Sequence, residues 1–152
     1  MSDFPKTGHM GREERRMSKT SLDGWKVLVV EDQPDNMLVV KATLEFNGAQ
    51  VQTAHNGIEG MQVLKSFTPT LILLDLSMPE MSGWEMFEKV RANDRFADVP
   101  VIALTAHAME GDEARVMEAG FDGYIPKPFS VMKIVFDIQD ILNSLPQKAR
   151  NK

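Results

Sequence analysis

The amino-acid sequence predicts an α/β fold, a doubly wound parallel sheet of five strands with five helices. Short apolar runs alternate with segments of helical periodicity, and four of these runs stop abruptly at polar residues. The clearest example is residues 71–74, four large aliphatic residues that lead into Asp75 and are bounded by Pro69 and Pro79. A continuous apolar run of this length is typical of a strand buried on both faces, as in a parallel sheet covered by helices.

The first strand and helix have clear start and stop signals. Residues 26–30 are a short apolar run that stops at two acids, which predicts a strand. Pro34 suits a first helical position, and the Asn-Gly pair at residues 47–48 ends the helical pattern. The second strand, residues 49–54, alternates only weakly, as expected of a strand near a sheet edge.

The second and third helices both open on capping signals. Asn56 is followed three residues later by an acid, and this spacing predicts a helix that runs to about Phe67. After the strand that ends at Asp75, Ser82 has the same spacing to Glu85. It therefore predicts the start of a third helix, whose apolar residues form one stripe.

The last third of the chain continues the alternation of strands and helices. Residues 99–105 are a buried run ending in a threonine, which predicts the fourth strand. A polar helix is expected over residues 110–119, where a glycine ends it, and residues 124–125 form a short fifth strand. We expect Ser130 to cap the fifth helix, which Pro146 ends.

One domain is expected over residues 25–145, because a chain of 152 residues can bury a core without disulfides. Residues 1–24 read as a flexible arm, since they carry Pro, Gly, Ser and mixed charges with almost no apolar residues. The sequence of residues 8–10, Gly-His-Met, is consistent with a cloning remnant. Residues 146–152 form a short basic tail.

Composition excludes several classes of function. The chain has no cysteine, which rules out disulfide frameworks, thiolate zinc sites and cysteine nucleophiles. The net charge of −5 argues against direct nucleic-acid binding, which needs a basic face. No apolar run approaches the roughly 18 residues that a membrane span requires. The sequence therefore predicts a soluble, cytoplasmic protein.

Polar side chains stand where four of the predicted strands end, namely Glu31, Asp32, Asp75, Thr105 and Lys127. The carboxyl ends of parallel strands meet at one edge of the sheet, where ligands bind in α/β folds. A single Asp after a strand is usually a cap or a turn residue, and a lone Lys-Pro is usually a solvated turn. The occurrence of all these residues in this chain order, each at a strand end, favours a functional crevice over separate structural roles.

Three carboxylates around one crevice repel each other. At 4 Å and an effective dielectric constant near 20, each pair costs about 4 kcal/mol, so either the pKa values rise or a cation binds. Hard oxygen ligands favour Mg²⁺ or Mn²⁺ over zinc. Lys127 and Thr105 would then stabilise the charge of a phosphoryl group as it transfers to Asp75.

Four segments carry a resemblance to a known family: residues 27–32, 73–79, 103–106 and 124–128. In type and order they resemble response regulator receiver domains, and the chain is similar to the single-domain chemotaxis and cell-cycle regulators. The resemblance covers about residues 25–145. It implies the flavodoxin-like receiver fold with strand order 2-1-3-4-5.

The resemblance also implies the roles of the acidic residues. Asp75 is expected to be the phospho-acceptor, taking its phosphoryl group from a histidine kinase, a histidine phosphotransfer protein or a small phosphodonor. Asp32 and Asp75 would bind Mg²⁺ directly, together with the backbone carbonyl of Ser77, while Glu31 would act through water.

The same resemblance implies a switch. Lys127 would pair with the phosphoryl group, and its peptide bond to Pro128 would be cis. Thr105 would move toward the phosphoryl group and Tyr124 would turn inward with it. This would alter the surface of the fourth helix, fifth strand and fifth helix, to which a downstream protein target binds. Ser77 and His107 would flank the path of the attacking water, although for His107 we favour simple exposure on the surface.

Four functions are open at this stage. The first is a phosphorylation-activated two-component signalling receiver, a monomer or weak homodimer whose only reactions are self-phosphorylation and self-dephosphorylation. The second is a Mg²⁺-dependent aspartyl-phosphate phosphatase, which needs a second acid where Ser77 stands. The third is a flavin or nucleotide binder, but this sequence lacks the glycine-rich phosphate-binding loop that such a binder needs. The fourth is a receiver that is part of a hybrid kinase or larger regulator.

Overall fold

A parallel sheet of five strands organises the protein, for which a computed structural model describes residues 22–78, 80–106 and 112–145. The strands are β1 (Lys26–Val30), β2 (Gln50–Ala54), β3 (Leu71–Asp75), β4 (Val101–Thr105) and β5 (Gly123–Pro126). Their order in the sheet is β2-β1-β3-β4-β5, and every neighbouring pair is parallel. The predicted fold class and strand order are confirmed.

Five helices connect and follow the strands in the described part of the chain. They are α1 (Pro34–Phe46), α2 (Gly57–Val63), α3 (Gly83–Ala92), α4 (Asp112–Ala119) and α5 (Ile134–Asn143). None of these helices is long and apolar enough to cross a bilayer.

The two faces of the sheet carry separate hydrophobic cores. On one face, residues such as Val29, Leu73 and Leu104 pack with the buried sides of α1 and α5. On the other face, Leu74 and Ala103 belong to a core that includes residues of α3 and α4. Both faces of the central strands are thus covered, which is why β3 and β4 are apolar runs rather than alternating ones.

Most of the predicted helix signals act as expected. Asn47 ends α1 and Gly48 follows with a φ of +100°, a value that glycine adopts without steric cost. The Asn56 side chain accepts from the backbone N–H of Glu59 at 2.9 Å, which caps α2. Ser82 forms a complete capping box at the start of α3.

Two element boundaries were predicted too generously. Helix α2 ends at Val63 rather than near Phe67, because residues 64–66 form a turn in which the N–H groups of Lys65 and Ser66 make i to i−3 hydrogen bonds. Strand β4 begins at Val101 rather than at residue 99. Pro100 has no N–H to donate to the sheet, and only its carbonyl bonds to Ile72, at 3.0 Å.

The predicted cap of the fifth helix was wrong. Helix α5 begins at Ile134, its N-cap is Lys133, and no side chain caps it. The backbone carbonyl of Ser130, rather than its hydroxyl, accepts the N–H groups of Lys133 and Ile134 at 3.0 and 2.9 Å. Residues 131–133 form a turn, which places Ser130 a full turn too early to cap the helix.

The packed structure extends further towards the N-terminus than the predicted boundary at residue 25. Leu22 is fully buried, and its N–H donates to the carbonyl of Asn47 at 2.7 Å. Several predictions concern positions outside the described residues: the first 21 residues of the arm, Pro79, the region of His107 and the tail from residue 146.

Candidate functional site

Three acids meet at the carboxyl edge of the sheet. One carboxylate oxygen from each of Glu31, Asp32 and Asp75 lies within 4.8 Å of the others. Glu31 and Asp75 are 0% and 1% exposed, whereas Asp32 is partly exposed. The structure therefore brings together the three acids that the sequence placed at strand ends.

Sheet register explains why these acids are neighbours. Strands β1 and β3 are adjacent, and Val30 pairs with Leu74, so the next residue of each strand is an acid at the same level. The N–H of Glu31 donates to Ala54 at 3.0 Å, which carries the ladder one residue past β1. The N–H of Gln33 donates to Glu31 Oε2 at 3.0 Å and orients that carboxylate.

Lys127 supplies a positive charge to this cluster. Its Nζ lies 3.0 Å from Glu31 Oε1 and 3.1 Å from Asp75 Oδ2. Its backbone N–H donates to the carbonyl of Thr105 at 2.8 Å, and its peptide bond to Pro128 is cis, as the resemblance implied. Burial alone would lower the pKa of Lys127, but the hydrogen bond to Glu31 and the charges of the acids outweigh it and raise the pKa.

Asp75 does not behave as an ordinary exposed carboxylate. Burial, a side-chain hydrogen bond with Asp32 and the charge of Glu31 raise its pKa from 3.8 to about 7. The charge of Lys127 and the N–H of Ser77, which donates to Asp75 Oδ1 at 3.1 Å, act in the opposite direction. Burial, the largest cause, together with the two neighbouring acids outweighs Lys127 and Ser77, so the pKa of Asp75 is raised.

The oxygens of the cluster fit a divalent cation. Glu31 Oε1 and Asp75 Oδ2 are buried, and although Lys127 Nζ approaches both, neither oxygen accepts a hydrogen bond of good geometry. Buried carboxylate oxygens with unsatisfied lone pairs are costly unless a cation or another donor meets them. Hard oxygen donors of this kind suit Mg²⁺.

A cleft of about 450 Å³ opens beside the acids. Five of its seven lining residues have polar side chains, namely Asp32, Gln33, Asn36, Ser77 and Lys127, and the other two are Ala106 and Pro128. The exposed Ser77 belongs to this wall, two residues after Asp75, where a phosphatase of the alternative class would need an acid. The cleft therefore exposes Asp32 and Lys127, two members of the charged cluster, to solvent.

Thr105 and Tyr124 lie on β4 and β5, the two strands on the side of β3 opposite to β1. Asp75 pairs with Leu104 in the register, so Thr105, which is buried, stands one residue further along the adjacent strand. Tyr124 pairs with Ala103 and is partly exposed. Its hydroxyl donates to the carboxylate of Glu113 on α4, and this contact, with burial, raises the pKa of Tyr124.

Gly83 is a residue of the site that the sequence did not reveal. In the sequence it is notable only because it follows Ser82, the predicted N-cap of the third helix. A Cβ at this position would lie 2.2 Å from the carbonyl oxygen of Asp75 and 2.7 Å from the Cα of Leu76. Its N–H donates to the carbonyl of Leu76 at 3.2 Å. Only a glycine lets the start of α3 approach the end of β3 so closely, and no local pattern announces a contact that depends on tertiary distance.

Comparison with known proteins identifies the family. Residues 27–139 match the model of the response regulator receiver domain. The chain belongs to the response regulator receiver family. It is 37% identical over 116 residues to the polar-differentiation response regulator DivK of Brucella anthropi, covering 76% of this chain and 94% of that protein.

Solved receivers share the fold of this receiver domain. The receiver domain of a Pseudomonas aeruginosa sensor histidine kinase, which has a magnesium ion coordinated in its active-site cleft, is 32% identical with a TM-score of 0.71, covering 80% of this chain and 99% of that one. The chemotaxis response regulator CheY4 of Vibrio cholerae is 27% identical with a TM-score of 0.73, covering 77% and 98%. The protein is thus a receiver domain of two-component signalling, with an acidic cluster compatible with Mg²⁺ binding.

Proposed function

We propose that Asp75 accepts a phosphoryl group from the phosphohistidine of a histidine kinase or histidine phosphotransfer protein, and that this receiver thereby switches a surface that binds a downstream protein. The position of Asp75 carries the proposal. It is buried at the end of β3, grouped with two other acids, 3.1 Å from the Lys127 ammonium and beside an open cleft. This arrangement of several residues suits the transfer of a phosphoryl group to the Asp75 carboxylate. No single residue of the set would indicate that reaction.

The reaction makes one bond and breaks one. An ionised oxygen of Asp75 attacks phosphorus, a new O–P bond forms, and the N–P bond of the donor breaks with its electron pair returning to the imidazole nitrogen. The N–H of Ser77 fixes one Asp75 oxygen, while Lys127 offsets negative charge on the incoming group. Both contacts are in place before the donor arrives, so little reorganisation is needed.

Glu31, Asp32, Asp75 and the backbone carbonyl of Ser77 are the groups that would hold Mg²⁺, with Glu31 acting through water. When bound, the ion neutralises the acids and the charge of the phosphoryl oxygens. Asp75 must lose its proton to react, and the cation and Lys127 both favour the ionised form.

The switch would run from Asp75 across β4 to β5. The Thr105 hydroxyl would move and donate a hydrogen bond to the phosphoryl group. The space that the Thr105 side chain leaves would then admit the Tyr124 ring. That movement requires the phenol to leave the Glu113 carboxylate, which holds it near α4 in the present structure. The surface formed by α4, β5 and α5 would change as a result, because Tyr124 belongs to it.

Intact-mass spectrometry after incubation with acetyl phosphate and Mg²⁺ tests the acceptor. We expect one phosphoryl adduct on the wild type and none on Asp75→Asn, because the amide is a poor nucleophile. Asp94→Asn, a change at an exposed aspartate, should retain the adduct. An adduct that persists on Asp75→Asn, or its absence from the wild type, would contradict the proposal.

A further inference from the structure

The connection between β3 and α3 packs against the start of α2. Gly57, the first residue of α2, is buried. A Cβ added to it would lie 2.8 Å from Cγ of Met81 and 2.9 Å from Cβ and Sδ of the same residue. Met81 is itself partly buried and packs on the core that contains Leu74 and Met86. Its side chain therefore fills the space that any residue larger than glycine would need at position 57.

Hydrogen bonds hold both ends of α2. At the start, Asn56 Oδ1 accepts from the N–H of Glu59 at 2.9 Å, and the Glu59 carboxylate accepts from the N–H of His55 at 2.8 Å. At the other end, the guanidinium of Arg95 donates to the carbonyl of Leu64 at 2.9 Å. A side-chain cap at a helix start contributes about 1 kcal/mol of stability. The helix is thus a firm support, and the position of Met81 depends on it.

The backbone beside Met81 is strained. Glu80 has a φ of +67°, and it is the one non-glycine residue with a positive φ in the described part of the chain. A non-glycine residue in this left-handed region costs about 1–2 kcal/mol, and the conformation persists only where the surrounding structure holds it. Glu80 is exposed, so burial of its own side chain does not hold it. The packing of its neighbour Met81 on Gly57 is the adjacent contact that restrains it.

Two hydrogen bonds hold the part of the connection next to Asp75, but neither involves the carbonyl of Ser77. The Ser77 N–H donates to Asp75 Oδ1 at 3.1 Å. The Gly83 N–H donates to the carbonyl of Leu76 at 3.2 Å. The Ser77 carbonyl belongs to the following planar peptide unit, so its direction depends on the backbone that continues towards Met81.

We propose that the contact of Gly57 with Met81 positions the Ser77 carbonyl for a divalent cation. The inference rests on the proposed function, in which this carbonyl holds Mg²⁺ together with Asp32 and Asp75. Met81 holds the far side of the connection while the strained backbone beside it stays in its left-handed conformation. If Met81 is displaced or removed, that backbone can relax, and the carbonyl then turns away from the carboxylate oxygens. Gly57 and Met81 are positioning residues, since they act on the cation through Ser77.

Mg²⁺ titration followed by two-dimensional NMR tests the positioning. We expect Gly57→Ala and Met81→Ala each to raise the Mg²⁺ dissociation constant about tenfold, an effect typical of residues that orient metal ligands. The amide signals around Ser77 give the dissociation constant and show whether the change is local. Circular dichroism checks that each variant is folded, and Met81→Ala carries the test alone if Gly57→Ala does not fold.

Gly60→Ala is the matched control. Gly60 is buried in the same helix, and a Cβ on it would lie 2.7 and 2.8 Å from Cε and Sδ of Met86. The added methyl group thus meets a methionine at a similar distance, but one that belongs to α3 rather than to the connection. We expect Gly60→Ala to leave the Mg²⁺ dissociation constant unchanged, whatever its effect on stability.

A double variant tests whether Gly57 and Met81 act through one contact. Met81→Ala removes Cγ and Sδ, two of the three atoms that a Cβ at position 57 would meet. The added methyl group of Gly57→Ala should therefore have little further effect when residue 81 is already alanine. We expect the double variant to bind Mg²⁺ about as weakly as Met81→Ala alone, whereas independent effects would multiply.

Three results would overturn the proposal. One is a Mg²⁺ dissociation constant that neither Gly57→Ala nor Met81→Ala changes. Another is a Gly60→Ala variant that weakens binding as much as Gly57→Ala does, because the cause would then be a general loosening of α2. The third is a double variant whose effect is the product of the two single effects.

The acetyl phosphate experiment separates a failure of this proposal from a failure of the proposed function. If the phosphoryl adduct forms on Asp75 while the variants bind Mg²⁺ as the wild type does, the positioning is wrong and the acceptor role stands. If the variants weaken Mg²⁺ binding in a protein that forms no adduct, the positioning stands and the acceptor role is wrong.

Discussion

At the scale of the residue, the burial of Asp75 beside two other acids lowers the stability of the fold when Asp75 is ionised. In the absence of a cation its pKa is raised to about 7, so the folded protein binds the Asp75 proton more tightly than the unfolded chain does. The stability contributed by that proton is fully present below the ordinary carboxyl pKa of 3.8 and is lost as the pH rises through about 7. The ionised carboxylate therefore strains the metal-free fold at neutral pH.

Replacing Asp75 should reveal this strain. With EDTA present, we expect Asp75→Asn to be more stable than the wild type by on the order of 2–4 kcal/mol at about pH 8, and by far less at about pH 4. The reason is that the amide carries no charge at either pH. Thermal unfolding of both proteins across this range measures the difference, and Asp94→Asn serves as the exposed control. A constant difference at every pH would show that the Asp75 charge is not the cause.

At the scale of the element, the start of α3 is pressed against the end of β3. The capping box at Ser82 fixes where the helix begins, and Gly83 then meets the backbone of Asp75 and Leu76. The end of β3 is thus held by main-chain packing at Gly83. The requirement at Gly83 is steric, since its φ is not among the positive values.

Alanine substitutions at two glycines compare a Cβ that would meet rigid backbone with a Cβ that would meet a flexible side chain. A Cβ at Gly83 would meet backbone atoms, so we expect Gly83→Ala to cost about 1–3 kcal/mol of unfolding free energy. A Cβ at Gly60 in α2 would meet the sulfur and terminal methyl of Met86, which can rotate away. Alanine also favours the helix, so Gly60→Ala should cost less than Gly83→Ala. Urea unfolding of both variants checks the order, and the reverse order would show that the Asp75 carbonyl can move aside.

At the scale of the whole molecule, the acidic cluster links cation binding to folding. Glu31, Asp32 and Asp75 come from strands that are distant in sequence and meet only in the folded sheet. The unfolded chain has no such cluster, and a cation that binds it must stabilise the folded state by mass action. Net stability should therefore depend on the free Mg²⁺ concentration.

Thermal unfolding with increasing Mg²⁺ tests this linkage. We expect the melting temperature of the wild type to rise, with a stabilisation of about 2.7 kcal/mol when Mg²⁺ reaches 100 times its dissociation constant. Asp32→Asn should lose most of this rise, whereas Asp137→Asn on α5 should retain it. NaCl at matched ionic strength controls for screening. An equal response of the two variants would place the cation elsewhere.

The sequence predicted the residues of the site better than their contacts. Acids and Lys127 were found because the carboxyl ends of parallel strands share one edge, so chain order alone brings Asp32 beside Asp75. Two contacts could not be predicted, namely that of Gly83 with the Asp75 carbonyl and that of Glu113 with Tyr124. Both depend on distances between elements, which no local sequence pattern encodes. Ser130 failed as a cap because a turn intervened before α5, and turns shift helix starts by a few residues.

The close approach of Gly83 to Asp75 also leads us to expect a preferred direction for the proposed switch. Under the proposed function a phosphoryl group adds bulk to Asp75, whose main chain already meets the start of α3 at Gly83. On the other side of β3 lie β4 and β5, which carry Thr105 and Tyr124, the residues that the proposed switch would move. Because the α3 side of Asp75 is fixed by main-chain packing, we expect the conformational change to pass through Thr105 towards Tyr124 and to leave α3 in place.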